Sequence, residues 1–306
     1  MSDMAPLTHP PGPADVPPLL APAERARLAE GRRLVTPMGP GHIVWHGWGE
    51  RRAGLPPVVL FHGGSGSWTH WVKNILPLVD AGRQVLAVDL PGFGDSALPL
   101  GGNDADAMVE PLAVSLRELL DGQPADLVGF SLGGVVAGLL LAEHPGLARR
   151  LVLVGAPAMG VVPGRQFELR AWRHLATREA QAQVHRHNLA VLMLHDARQI
   201  DGLALQVHVA NVERDRLPRR RPAPSDALAR RLAGVRCPVH AIYGAHDALY
   251  GPYIHALGPA FAAAAPDFRG LQLIEGAGHW VQFEAPGAFQ AALHAAIEDQ
   301  IAPKIP

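Results

Sequence analysis

Short apolar runs and longer amphipathic segments alternate along most of the chain. The short runs are rich in Val, Leu and Ile and are bounded by Gly, Pro and charged residues, which is typical of buried strands. The predicted strands lie at 33–36, 42–48, 58–61, 85–90, 126–128, 150–154, 239–243 and 271–274. The predicted helices lie at 68–78, 105–120, 135–142 and 286–301. This alternation indicates a mostly parallel sheet flanked by helices, opened by an antiparallel pair.

The regular alternation stops between about residues 159 and 235. There Arg, His and Gln are interleaved with Leu, Val and Ala at helical spacing, and strands resume only at 239. This pattern predicts a helical cap inserted after the sixth strand. The expected organisation is a Pro-rich mobile N-terminal extension (1–28), the first part of an α/β core (29–158), the helical cap (159–235) and the second part of the core (236–306).

Composition and charge narrow the class of protein. With 306 residues, 48% of them hydrophobic and 18% charged, the chain can bury one sizeable α/β core. A formal net charge of -1 gives no reason to expect nucleic acid or an anionic membrane as partner. We expect neither a secretory signal nor a transmembrane helix. The single cysteine, Cys237, fits a reducing cytoplasm. We expect a small-molecule substrate as partner, and the oligomeric state is left open.

The most informative motif is Gly-Phe-Ser-Leu-Gly at residues 129–133. It follows an apolar strand and leads into an apolar helical run. A serine held between small residues at a sharp strand-to-helix turn is a nucleophile elbow, which exposes the hydroxyl and aims a helix N-terminus at a forming oxyanion. Ser131 is therefore the predicted nucleophile.

A serine hydroxyl needs a base to take its proton and an acid to orient that base. The best base is His279, in a glycine-rich loop after the last predicted strand, and the best acid is Asp247, at the end of the preceding strand. The chain order Ser131, Asp247, His279 is the one expected for this architecture. The alternatives are a solvated loop carboxylate and a structural loop histidine.

A glycine-rich segment, Phe-His-Gly-Gly-Ser-Gly at 61–66, follows another buried strand. We expect the N–H of Gly64 to pair with the N–H of Leu132 as an oxyanion hole. A phosphate-binding loop is the alternative, but the segment lacks Gly-Lys-Ser/Thr. Several histidines fall in the cap without the spacing of a metal site, so we expect neither a metal nor a cofactor.

These motifs together resemble the α/β-hydrolase superfamily over residues 34–301. The residues that carry the resemblance are His62-Gly63-Gly64, the segment Asp-Leu-Pro-Gly-Phe-Gly-Asp-Ser at 89–96, the elbow at Ser131, Asp247 and His279-Trp280. The resemblance implies an α/β-hydrolase fold and a Ser-Asp-His triad. Related epoxide hydrolases and haloalkane dehalogenases attack with an aspartate, and Ser131 disfavours those activities.

Within the superfamily, residues 278–284 and 188–196 resemble the meta-cleavage-product hydrolases, which cut carbon–carbon bonds in aromatic catabolism. Two positions depart from that group. Phe130 stands where an asparagine is usual before the nucleophile, and His208 matches best the cap arginine that binds the substrate carboxylate. Because His is a poor substitute for a bidentate Arg, a neutral ester is the favoured substrate.

The sequence therefore predicts a serine esterase that cleaves a small, largely apolar carboxylic ester through an acyl-enzyme. The alternative is a carbon–carbon hydrolase of the meta-cleavage-product type. A ligand-binding protein and a cofactor-free oxygenase or lyase on the same fold are less favoured. Candidate substrate contacts are Trp280, Phe130, His208 and Trp172, and candidate pocket walls in the cap are Phe167, Leu169, Leu192 and Met193.

Overall fold

The computed structural model describes residues 16–164, 167–217 and 226–298. The strands are β1 (Arg32–Met38), β2 (Gly41–Trp48), β3 (Val58–Phe61), β4 (Val85–Asp89), β5 (Ala125–Phe130), β6 (Ala148–Val154), β7 (Val239–Gly244) and β8 (Phe268–Ile274). The α-helices are α1 (Pro22–Ala29), α2 (Ile75–Asp80), α3 (Asp106–Leu119), α4 (Leu132–Glu143), α5 (Arg178–Asn188), α6 (Gly202–Glu213), α7 (Ala227–Leu232), α8 (Leu257–Ala264), α9 (Val281–Glu284) and α10 (Pro286–Glu298). No helix among the described residues is long and apolar enough to cross a bilayer.

The strands form one eight-stranded sheet in the order β1-β2-β4-β3-β5-β6-β7-β8. β1 and β2 pair antiparallel, β2 pairs antiparallel with β4, and all later neighbours are parallel. Two apolar clusters cover the sheet, one on each face. The predicted mostly parallel sheet flanked by helices is confirmed, and the carboxyl ends of β3, β5, β6, β7 and β8 share one edge.

The segment predicted as one helix at 68–78 is divided. A 3-10 turn at Trp68–Trp71 begins at Ser67, whose hydroxyl accepts the N–H of Thr69, and α2 starts only at Ile75. Pro77 lies in the first turn of α2, where its missing N–H costs no intrahelical bond. Because proline fits best in the first turn of a helix, its position agrees with a start of α2 at Ile75.

The chain between β6 and β7 contains α5, α6 and α7, and its described residues before α5 are not helical. α5 runs into a wider π-helical turn at Leu189–Met193, and α6 follows after a 3-10 turn at Ala197–Gln199. The carboxylate of Asp201 caps α6 by accepting the N–H of Ala204 at 2.8 Å. We call this stretch, from the end of β6 to the start of β7, the insert.

The N-terminal extension expected at 1–28 differs from the structure in its second half. Residues 1–15 lie outside the described residues, but Val16, Leu20 and Leu28 are buried, and α1 occupies most of the segment between them. The indole N–H of Trp48 donates to the carbonyl of Leu28 at 2.9 Å. The expectation of mobility is wrong from Val16 onward, because three apolar side chains spaced through the segment find a packed surface.

Candidate active site

Ser131 joins β5 directly to α4 in a strained turn. Its φ of 50° and ψ of -117° lie outside the conformations that non-glycine residues favour. Its N–H donates to the carbonyl of Val154 at 2.8 Å, and its carbonyl accepts from Gly134 at 2.9 Å. A Cβ on Gly133 would lie 2.5 Å from the carbonyl oxygens of Phe61 and His62, so the turn can close only with glycine there. Ser131 itself is half-buried, as a nucleophile at an elbow should be.

Asp247 and His279 meet across the loops that follow β7 and β8. The backbone N–H of His246 donates to the carbonyl of Ala277 at 2.9 Å, which fastens the two loops together. His279 Nδ1 lies 2.9 Å from Asp247 Oδ2, and Asp247 Oδ1 accepts the N–H of Leu249 at 2.9 Å. Both carboxylate oxygens are therefore engaged, and the pair is buried. With Nδ1 bound to the carboxylate, Nε2 is the nitrogen left to act as a base.

Ser131 and His279 border the same neighbours. The ring of Phe130, next to Ser131, lies 5.0 Å from the ring of His279 between centroids. Gly155 follows the Val154 carbonyl that binds Ser131, and a Cβ on Gly155 would lie 3.1 Å from His279 Nδ1. The predicted nucleophile, base and acid thus gather at the carboxyl edge of the sheet.

The glycine-rich segment after β3 lies against the nucleophile. A Cβ on Gly63 would lie 3.2 Å from the Cβ of Ser131. Among the described residues, neither the N–H of Gly64 nor that of Leu132 donates a hydrogen bond to the protein. Leu132 opens α4, so its N–H also has no intrahelical acceptor. Two N–H groups without protein acceptors beside a serine are the donors that an oxyanion hole requires.

Two buried histidines shape this segment. His62 Nε2 accepts the N–H of Leu90 at 2.9 Å, so its proton sits on Nδ1, 2.7 Å from the carbonyl of Gly63. His70 Nδ1 accepts the N–H of Gly63 at 3.2 Å. Burial lowers the pKa of His70 well below its usual range. Both rings bind Gly63 in neutral tautomers, which places no extra positive charge beside the oxyanion position.

A cavity of about 680 Å³ opens between this segment and the insert. Apart from Gly64, Ser65 and His70 on the core side, its wall comes from the insert. The insert contributes apolar and polar side chains, among them Leu169, Trp172, Leu192, Met193, Val212, Arg170, Arg173, His174, Asn188, His208 and Asp215. Phe167 is not part of this wall. The cavity has the size of a small-molecule site. It reaches the predicted oxyanion donor Gly64, whereas Ser131, Leu132 and His279 are not part of its wall.

The four predicted substrate contacts separate into two pairs. Trp172 and His208 line the cavity, whereas Trp280 and Phe130 are buried and are absent from its wall. The indole N–H of Trp280 donates to the carbonyl of His70 at 3.0 Å, and its ring stacks on Phe283 at 4.1 Å. These contacts make Trp280 a support of the loop that carries His279, and its predicted contact with substrate is not seen in this cavity.

His208 takes an uncharged form in the cavity wall. Burial, with a smaller effect of nearby His185, lowers the pKa of His208 to about 3. Its Nε2 atom is buried and has no hydrogen-bond partner among the described residues. The ring lies 5.3 Å from that of His185, edge to face. A neutral imidazole can exchange one hydrogen bond with a ligand but cannot balance a carboxylate.

Glu284 is a site residue that sequence reasoning missed. Its buried carboxylate accepts the N–H of Gly278 at 2.6 Å, that of His195 at 3.1 Å and that of Asp196 at 2.7 Å. One donor immediately precedes His279 and the other two belong to the insert. The available signal was an acidic residue that follows the mostly apolar segment Trp-Val-Gln-Phe at 280–283, because a buried carboxylate requires buried donors.

No group of three or more His, Cys, Asp or Glu side chains within 16–164, 167–217 and 226–298 is arranged to hold a metal ion. Acid–base chemistry by a serine, a histidine and a carboxylate is what the gathered residues can perform. A family model described as the alpha/beta hydrolase fold matches residues 56–286.

The chain belongs to the α/β-hydrolase fold family. This α/β hydrolase is 26% identical, over 76% of its own length and 84% of the relative's, to 2-hydroxy-6-oxo-6-phenylhexa-2,4-dienoate hydrolase of Comamonas testosteroni. It is 30% identical, over 76% of its length and 60% of the relative's, to the dihydrolipoyllysine-residue acetyltransferase component of the acetoin cleaving system of Pseudomonas putida. The structure of carboxylesterase CesB from Bacillus subtilis superposes with a TM-score of 0.71 at 19% identity, covering 91% of this chain and 97% of that one. That structural likeness confirms the predicted fold.

Proposed function

We propose that this α/β hydrolase is a serine esterase that cleaves a small, uncharged and largely apolar carboxylic ester. The observation that carries the proposal is the buried Asp247–His279 pair beside the strained elbow of Ser131. A buried acid bound to the Nδ1 of a histidine orients the ring and stabilises the imidazolium that forms when Nε2 takes a proton.

The reaction proceeds in two halves. His279 takes the proton of Ser131 Oγ as that oxygen bonds to the ester carbonyl carbon, and the N–H groups of Gly64 and Leu132 bind the oxyanion. Collapse of the tetrahedral intermediate breaks the bond to the leaving alkoxide, which receives the proton from His279. Water then attacks the acyl-enzyme with His279 again as base, which releases the acid and restores Ser131.

The neutral His208 supports an uncharged substrate. With its pKa near 3, the ring carries no charge at ordinary pH, and its free Nε2 suits a carbonyl, ether or hydroxyl group. Trp172, Leu192 and Met193 add apolar wall to the same cavity. We further propose that residues 159–235 act as a cap that selects the substrate and that the enzyme works in the cytoplasm.

A second candidate function is carbon–carbon bond hydrolysis of a ring-fission dienoate. Its specific support is that Arg170 and Arg173 also line the cavity, where a guanidinium could bind a substrate carboxylate. Arg173 is partly committed, since it donates to the carbonyl of Val212 at 2.9 Å and lies 4.6 Å from the Trp172 ring. The relative from Comamonas testosteroni named above is a hydrolase of such a dienoate.

The test compares p-nitrophenyl pentanoate with the mono-p-nitrophenyl ester of glutaric acid, which matches it in length but carries a carboxylate. A ring-fission dienoate is assayed alongside. We expect the neutral ester to have the higher kcat/KM and Ser131→Ala to lose roughly 10³-fold or more of turnover. Preference for the charged ester together with cleavage of the dienoate would support the second candidate. If Ser131→Ala hydrolyses every substrate of the wild type at the wild-type rate, serine catalysis is refuted.

A further inference from the structure

Side-chain hydrogen bonds join the segment that carries the predicted oxyanion donor to the insert. We call residues 62–70 the oxyanion loop. The side-chain oxygen of Asn211, near the end of α6, accepts the hydroxyl of Ser67 at 2.7 Å and that of Thr69 at 3.2 Å. All three residues are buried. The oxyanion loop is therefore tied to a helix more than 140 residues further along the chain.

The tie nearest to the chemistry is made by Asp215. Its Oδ2 accepts the hydroxyl of Ser65 at 2.5 Å, while its Oδ1 accepts the N–H of Leu217 at 2.7 Å. The hydrogen bond from Leu217 fixes the orientation of the carboxylate, so the oxygen that accepts the Ser65 hydroxyl has a defined position. The Asp215 carboxylate is buried at the wall of the cavity.

The backbone conformation of Ser65 is unfavourable, and the hydrogen bond to Asp215 helps to hold it. Its φ is 52°, in the left-handed region where a side chain crowds the backbone and glycine is preferred. Gly64, whose N–H is the predicted oxyanion donor, is the preceding residue. A change of backbone conformation at Ser65 would shift Gly64, and misplacing a catalytic group by about 1 Å can cost 10²-fold in rate.

We propose that Asp215 is a positioning residue that holds the Gly64 N–H in place for the oxyanion by fixing Ser65 in its left-handed conformation. This inference rests on the proposed function. Asp215 lines the cavity together with His208 and Val212 of α6. A substrate that packs against this part of the insert therefore stabilises the segment that positions the oxyanion loop, so substrate binding and oxyanion-loop geometry are linked.

The test uses Asp215→Asn, Ser65→Ala and the double variant, with Asp226→Asn as the control. Asp226 lies in the insert and pairs with Arg230 at 2.8 Å on the surface. Three quantities are measured for each protein: kcat and KM on the neutral ester, the inhibition constant of an alkyl boronic acid, and the urea midpoint of unfolding. The boronic acid forms a tetrahedral adduct with a reactive serine and so reports on the oxyanion site.

We expect each single variant to lose about 10-fold to 100-fold in kcat and in boronic acid affinity, with KM nearly unchanged. The double variant should be no worse than the more impaired single variant, because both changes break one interaction. The control should match the wild type. Variants that keep wild-type kcat and boronic acid affinity, or losses that multiply in the double variant, would overturn the inference.

Labelling with a fluorophosphonate separates this failure from that of the proposed function. If wild-type Ser131 is labelled and the Asp215 and Ser65 variants are labelled at the same rate, only the positioning role is wrong. If the wild type is not labelled and Ser131→Ala behaves identically, the serine mechanism fails and the positioning role falls with it.

Discussion

Glu284 offers the sharpest test of how the insert supports His279, the proposed catalytic base. Its carboxylate accepts three backbone N–H groups, with Gly278 and His195 on one oxygen and Asp196 on the other. Glu284→Ala removes every acceptor. Glu284→Gln keeps one oxygen and places an amide nitrogen, itself a donor, against at least one N–H group.

The expected losses of stability follow from the number of donors. Leaving one buried N–H unsatisfied costs about 1–3 kcal/mol, so Glu284→Gln should lower the free energy of unfolding by roughly 1–2 kcal/mol. Glu284→Ala should cost about 3–5 kcal/mol, less than three full penalties because water can enter the space. In a chain of 306 residues, each kcal/mol corresponds to about 2 °C in Tm.

The activity should fall in the same order, because Gly278 carries the backbone into His279. Thermal unfolding and kcat are measured for both variants and for Glu275→Gln, an exposed carboxylate in the same loop. Glu275→Gln should behave as the wild type. If Glu284→Gln matches Glu275→Gln in Tm and kcat, or if Glu284→Ala is no less stable than Glu284→Gln, the three-donor account is wrong.

Three further predictions concern the site itself. Asp247→Asn should lower kcat by about 10⁴-fold at neutral pH while leaving the fold intact by circular dichroism, because the histidine then adopts the wrong tautomer. Gly63→Ala should lower kcat by at least about 10²-fold, since the new Cβ would lie 2.9 Å from the Phe130 ring and 3.2 Å from the Ser131 Cβ; an active variant would contradict this. His208 has its pKa lowered to about 3 in the fold, so below about pH 6.5 the unfolded chain binds a proton that the native state does not, and stability falls as the pH drops from 6.5 towards 3. Between pH 7.5 and pH 5.5, the free energy of unfolding in urea should therefore fall by about 1.4 kcal/mol less for His208→Gln than for the wild type.

The sequence predicted the residues whose position follows from strand order. Parallel strands end at one edge, so a serine after β5, an aspartate after β7 and a histidine after β8 were bound to meet there. That Asp247 and His279 come to the same edge follows from the order of the strands. The same holds for Gly64, which follows β3 at that edge.

Residues whose role depends on side-chain direction in loops were harder to assign. Trp280 adjoins the predicted base, yet its indole turns towards His70 and Phe283 and away from the cavity. Asp215 looks like one charged residue in a polar stretch, and only the tertiary structure brings it to Ser65. Such contacts join positions about 150 residues apart, which no local pattern records.

The packed N-terminal residues bear on how the protein can be shortened. The N–H of Leu19 donates to the side chain of Gln206 on α6 at 3.2 Å, and Val16 and Leu20 share an apolar cluster with Ala204 and Val207. A protein begun at residue 29, the boundary that the proline pattern suggests, would strip this cover and leave apolar surface on α6 open to aggregation. A protease that cuts between residue 16 and α1 would disrupt the contact of this segment with α6, the helix that leads to Asp215. We therefore expect such a cut to lower the turnover of the enzyme.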